Sequence, residues 1–212
     1  MRIFLLPKAV LFCYNICGAV LETAQYGKGN DIIMLKSDQK YTSYIEVLKS
    51  ELVPAAGCTE PIAIAFAAAK AHSVLGKLPE KVVIYVSGNI IKNVKSVVVP
   101  NTGGLRGIEA AAAAGIAAGD ASKVLEVIAD VDENGKQRIL DFLELHNIIV
   151  RPADNDLVFD IDLTVFAGSD SVRIRIIDYH TNIVLIEKNG KVVYAPESVT
   201  FEKSENALVT CL

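Results

Sequence analysis

The sequence predicts an α+β fold, with helices packed on a mainly antiparallel sheet and a β-meander closing the chain. Three observations predict it. Apolar and alanine-rich stretches of helical length crowd positions 41 to 146. From Ile148 the pattern turns to short alternating runs, such as Phe159, Ile161, Leu163 and Val165 set against Asp160, Asp162 and Thr164. Two turn signals, Gly168-Ser169-Asp170 and Asn189-Gly190, separate those runs, and the second is a strong hairpin signal.

The elements follow in order. Positions 41–52 carry helical spacing in Tyr44, Val47, Leu48 and Glu51. A second helix spans 61–75, ahead of a break at 76–80. Val82, Val83, Ile84 and Val86 make 81–87 a strand, and 90–99 reads as a second strand or extended segment. Pro100-Asn101-Thr102-Gly103-Gly104 is a loop, and 105–118 is an alanine-rich helix with high propensity and little bulk. Further helices are expected at 122–129 and 132–146, with Asp132–Gly135 between them. Strands at 156–167, 172–177, 182–187 and 192–194 complete the chain.

Composition narrows the function. Of the 212 residues 51% are apolar, so a core can form without disulfides, and the net charge of −4 is spread along the chain. No basic stripe and no tryptophan appear, which argues against nucleic acid as the main partner. Cys13, Cys17, Cys58 and Cys211 do not form a disulfide framework, and a reducing, cytoplasmic setting fits them best. Residues 1–33 resemble a poor signal peptide interrupted by Pro7, Lys8 and Asn15, short of the ~18 apolar residues of a membrane helix. The preferred reading makes them an extension or misassigned start ahead of Met34, with 34–212 as the domain. A weak membrane or secretory segment is the runner-up.

Pro54–Pro61, PAAGCTEP, is the most informative segment. It sets Cys58 at the mouth of the 61–75 helix, with Thr59 as the expected N-cap and Pro61 in the first turn. A thiol there meets the positive end of the helix dipole, so its pKa is expected to fall. Glu60 adds a carboxylate as base or ligand. The alternative is a small residue buried in a tight turn. Asn101-Thr102-Gly103-Gly104 offers backbone N–H groups to an anion such as a carboxylate, or is an ordinary glycine-rich helix entry. His180 titrates near neutrality and is an acid–base group, a ligand, or a turn histidine capping backbone groups. Asp160 and Asp162 read as a solvated face rather than a catalytic dyad. No P-loop, GxSxG, GxGxxG or HExxH motif is present.

Taken together and in order, PAAGCTEP at 54–61, VVVPNTGG at 97–104 and HTNIVLIE at 180–187 resemble the N-terminal part of the L-cysteine desulfidase family, related to the serine dehydratase alpha-chain family. The resemblance runs from about Tyr41 to Ala195. It implies a lyase with a [4Fe–4S] cluster that β-eliminates L-cysteine or L-serine. It further implies Cys58 as a cluster ligand, and Glu60, His180 and Asn182 in catalytic or orienting roles. Asn101, Thr102, Gly103 and Thr181 would bind substrate. Members of that family continue into a largely helical second half bearing the other cluster cysteines, which this chain lacks. The expectation is therefore that the chain alone holds no stable cluster, which takes four ligands. The chain is then a truncated product, a degenerate paralogue, or a split subunit whose missing half, a second subunit, would dock on the apolar faces of the 105–118 and 61–75 helices, and homo-oligomers are possible partners too. The competing readings are a non-catalytic binding or interaction module, and a thiol enzyme with Cys58 as nucleophile and His180 as base.

Overall fold

The computed structural model describes residues 39–51, 55 and 57–196. The expectations for residues 1–33, Met34, Cys13, Cys17, Pro54 and Cys211 lie outside them. Two compact units divide the chain, Met1–Val47 and Leu48–Leu212. Helix α1, Gln39–Glu51, begins in the first and ends in the second. All that follows concerns the second.

Helix α2, Thr59–Leu75, is the centre of the fold. Ile62 to Ala69 is a run of eight apolar residues, and every one is buried. A helix apolar all round needs neighbours on all sides. On one side lie strands β3, Asp160–Ala167, and β4, Asp170–Ile177. On another lies α4, Gly107–Ala118, the alanine-rich helix. Small residues set that spacing. A Cβ at Gly115 would sit 2.8 Å from the Ala65 carbonyl carbon, and one at Gly119 would sit 3.1 Å from Ala69 Cβ. Gly76 ends α2 in the left-handed region (φ 77°), its N–H bonding the His72 carbonyl at 2.9 Å.

The sheet has six strands in the order β2-β1-β3-β4-β5-β6. Strand β1, Lys81–Val86, pairs parallel with β2, Asn147–Pro152, and antiparallel with β3. β3, β4, β5 (Ile183–Lys188) and β6 (Lys191–Tyr194) form the expected antiparallel meander. Asn189 and Gly190 both take positive φ, 52° and 75°, as a tight hairpin turn demands. The apolar sides of β1, β3 and β4, including Ile84, Leu163 and Ile174, face the helices. Their other sides carry Tyr85, Asp162, Arg173 and Arg175, none of them fully buried.

Three expectations are corrected, and the helix expected at 132–146 is borne out. The extended segment at 90–99 begins as helix α3, Gly88–Val94. Its β-branched residues suggested a strand, but Ile90 and Val94, four apart, are both buried on one helical face. The helix at 122–129 is a 3₁₀ segment, Ala121–Glu126, kinked at Val124. Asp120 caps its first turn, accepting from the Ser122 N–H at 3.0 Å. The helix at 132–146 is α5, Glu133–Leu145, with Asp132 as its N-cap accepting from the Gly135 N–H at 2.7 Å. Finally, α2 and α4 present no open apolar face for a second subunit. Ala110 to Ala114 are buried like α2, because the two helices pack on each other.

That contact yields a prediction. Gly115→Ala is expected to lose about 1–3 kcal/mol in urea unfolding, because the added methyl meets backbone of α2. Gly88→Ala, with nothing within 4 Å, is expected to stay within about 0.5 kcal/mol of the parent.

Candidate active site

The mouth of α2 is where sequence-distant loops meet. Cys58, in extended backbone (φ −61°, ψ 126°), occupies the cap position expected for Thr59, and its side chain makes no cap bond. Thr59 is instead the first helical residue. The Cys58 thiol donates to Glu60 Oε2 at 3.1 Å. Asn93, near the end of α3, sits 3.5 Å from Glu60 Oε1 through Nδ2. His180 completes the group from the β4–β5 turn, its charge acting on Glu60. The ring of His180 packs edge-on against Phe159, centroids 4.6 Å apart. The PNTGG loop closes in from another side: a Cβ at Gly57 would lie 2.6 Å from Pro100 Cγ, so only glycine fits beneath that ring.

These neighbours set the charge states. Partial burial raises the Cys58 thiol, and the hydrogen bond to Glu60 and its negative charge raise it further. The expected fall is thus corrected: burial first, and then the carboxylate two residues away, raise the thiol. Partial burial also works against the Glu60 carboxylate. The hydrogen bonds from Cys58, from its own backbone N–H and from Asn93, with the His180 charge, still hold it below the ordinary range. Burial lowers His180, and Glu60 offsets that only in part. At neutral pH the site therefore holds a protonated thiol, a carboxylate and a neutral imidazole. The thiol's partner is Glu60; no hydrogen bond joins it to His180 among the described residues.

The remaining expected residues have structural work. Asn101 takes φ 58° and its amide donates to the carbonyls of Ile128 and Ala129, each at 3.0 Å. Thr102 is buried and its hydroxyl donates to the Val99 carbonyl at 2.7 Å. A ligand at this loop would meet the exposed peptide groups around Gly103, which lies outside α4 because Leu105 and Arg106 intervene. Asn182 donates from Nδ2 to the Ile177 carbonyl at 3.0 Å and shapes the turn that presents His180. Thr181 is exposed at its tip. Asn93 was missed because its segment reads as a strand; four helical residues, Ile90 to Asn93, bring it to Glu60. Asp160 and Asp162 are not a solvated face. Asp160 is 1% exposed and takes two bonds from Arg175, while Asp162 takes two from Arg173.

A [4Fe–4S] cluster normally takes four ligands, mostly thiolates. Cys58 is the one cysteine among the described residues, and no group of three or more His, Cys, Asp or Glu there is placed to hold a metal ion. The described donor set therefore does not by itself fit a cluster. Among the same residues no helix is long and apolar enough to cross a membrane.

Fold and site together define an α+β domain with a thiol, a carboxylate, an amide and an imidazole at the mouth of a buried helix. Its homologues are named UPF0597 proteins. The chain is 57% identical over 163 residues to one from Desulfitobacterium hafniense, covering 77% of this chain and 38% of the relative. It is 42% identical over 175 residues to one from Treponema denticola (82% and 40%) and 46% over 161 residues to one from Finegoldia magna (74% and 38%). The chain thus spans about two fifths of the length of the curated relatives it matches. No family model and no solved structure matches it. The relatives' names state no reaction, so the likeness to cysteine desulfidases rests on the three motifs.

Two outcomes follow from the charge states. Thiolate absorbance near the ultraviolet edge should place the Cys58 pKa above an ordinary cysteine, and Glu60→Gln should bring it down. Acidification should also cost stability. Folded His180 and His72, both lowered by burial, resist protons that the unfolded chain accepts. Stability is then full above the ordinary histidine range and falls as pH drops below it. His180→Asn should flatten that slope in urea titrations across pH.

Proposed function

We propose that this chain is the acid–base part of a lyase that β-eliminates L-cysteine, or by the same route L-serine. One observation carries the reading: Cys58 is hydrogen-bonded to Glu60, and His180, from a second motif, lies within electrostatic reach of Glu60, with the third motif's Pro100 packed on Gly57. In β-elimination a base takes the Cα proton and the leaving group departs from Cβ. The aminoacrylate becomes an imine, and water releases pyruvate and ammonia, with sulfide from cysteine. Glu60, held anionic, suits the proton acceptor. Neutral His180 suits a group that accepts a proton from the substrate ammonium and returns it to the leaving atom. Asn93 orients Glu60, and Asn182 positions the His180 turn. Substrate carboxylate would meet the peptide groups at Asn101, Thr102 and Gly103, with Thr181 at the rim.

The resembled family's [4Fe–4S] cluster belongs to this proposal in one respect. Cys58 would give one thiolate, and the others would come from polypeptide outside the described residues. A second subunit or further chain matching the rest of the relatives' length is the implied partner, in a cytoplasmic setting without nucleic acid or membrane. A second reading, a non-catalytic binding or interaction module, is favoured by the incomplete donor set.

The test is anaerobic iron–sulfide reconstitution of the chain co-expressed with polypeptide matching the remaining length of its relatives, followed by pyruvate release from each amino acid. Turnover is expected. Glu60→Gln should lower kcat/KM by about 10²–10⁴-fold, and Cys58→Ala should abolish both colour and turnover. A reconstituted, folded complex that forms no pyruvate from either amino acid would overturn the lyase reading.

A further inference from the structure

Phe159 joins the elements that carry His180 and Glu60. It lies just before β3 and is 8% exposed. Its ring packs edge-on against His180, with the two planes at 60°. Its backbone is tied to the same turn: the Asp178 N–H donates to the Phe159 carbonyl at 3.1 Å. Asp178 takes φ 64° at that bend, two residues before His180. From the other direction, Ser87 holds the carbonyls on either side of Phe159. Its hydroxyl donates to the Val158 carbonyl at 2.9 Å and its N–H to the Asp160 carbonyl at 3.0 Å. Ser87 is 2% exposed and occupies the N-cap position of α3, the helix whose Asn93 reaches Glu60.

The imidazole needs such a partner. Rotation about the outer side-chain torsion of a histidine is broad, so the backbone alone does not set the plane of the ring. His180 is half-buried in a turn whose neighbours Tyr179 and Thr181 are exposed. Proton exchange with a ring nitrogen requires heavy atoms within about 2.6–3.2 Å, so the ring plane decides what the nitrogen can reach. An edge-to-face contact is directional and restrains the plane as well as the position. An aliphatic side chain of similar bulk would fill the space and leave the ring free to turn. Ser87 adds the register. Through its two bonds, the segment under His180 and the helix carrying Asn93 are fixed to each other.

We propose that Phe159 is a positioning residue that fixes the plane of the His180 imidazole within electrostatic reach of Glu60, and that Ser87 locks this placement to the helix that orients Glu60. The proposal rests on the acid–base reading of Glu60 and His180, and adds to it a residue that acts only through the imidazole.

The test is NMR titration of the His180 ring in the full chain. The effect of Glu60→Gln on the His180 pKa is measured in the parent and in the Phe159→Leu, Phe159→Met and Phe159→Tyr backgrounds. Positioning predicts that this effect falls by about half or more with Leu or Met and is retained with Tyr, which keeps the ring. A residue that serves the core alone would lower stability and leave the effect intact. In the reconstituted complex, Phe159→Leu should lower kcat by about 10-fold to 100-fold with KM within about twofold. A parent complex that forms no pyruvate defeats the lyase reading, while the titrations on the chain alone still decide the role of Phe159. An unchanged Glu60→Gln effect in a folded Leu or Met variant would overturn the proposal. So would loss of that effect in the Tyr variant, or a parent in which Glu60→Gln leaves His180 unmoved. Failure of both aliphatic variants to fold would make Phe159 a core residue and overturn it as well.

Discussion

The burial of α2 on every side is the constraint on which the rest depends. Its run Ile62–Ala69, made of Ile, Ala and Phe, has no polar face, so the chain must surround it. The sheet covers one side through Leu163 and Ile174, and α4 covers another at a distance that only Gly115 and Gly119 allow. That closeness fixes where α2 begins. Its first turn, with Cys58 and Glu60, is thereby held beside α3 and the PNTGG loop, within electrostatic reach of His180 in the β4–β5 turn. The active-site candidate is a by-product of how one apolar helix is packed.

The electrostatics at that mouth run against the simplest expectation. A helix N-terminus alone favours thiolate, yet Glu60 sits inside the same turn and takes the thiol's proton as a hydrogen bond. The carboxylate gains what the thiol loses. Asn93 reinforces it, and so does His180 once acid protonates the ring, so the anion of the cluster is Glu60 and not Cys58. Any chemistry that needs the thiolate must first move that proton or displace it with a cation.

Much of the fold is legible in the sequence because it is written in local signals. Alternation from Phe159 to Val165 and the Asn189-Gly190 turn specify the meander with little help from the rest of the chain. The segment at 88–94 is not legible that way. Ile90, Ile91 and Val94 favour a strand, and tertiary packing of Ile90 and Val94 against the core overrides them. Asn93 disappeared from view with that misreading. The parallel pairing of β1 with β2 joins strands some sixty residues apart, a distance at which no local signal acts. The Asp160–Arg175 and Asp162–Arg173 pairs depend on the register of β3 against β4, in which Asp162 faces Arg175. The motifs did mark the mouth of α2, but Asn101 and Thr102 looked like ligand contacts when their side chains are spent on their own chain.

Glu60 and His180, 120 positions apart in the sequence, act on each other electrostatically in one site. The most direct test is the pH titration of the His180 ring by NMR in the parent and in Glu60→Gln. If the carboxylate faces the imidazole, it favours the protonated ring, so its removal should lower the His180 pKa further below the ordinary histidine value. A His180 titration unchanged by Glu60→Gln, in a chain that remains folded, would contradict the account.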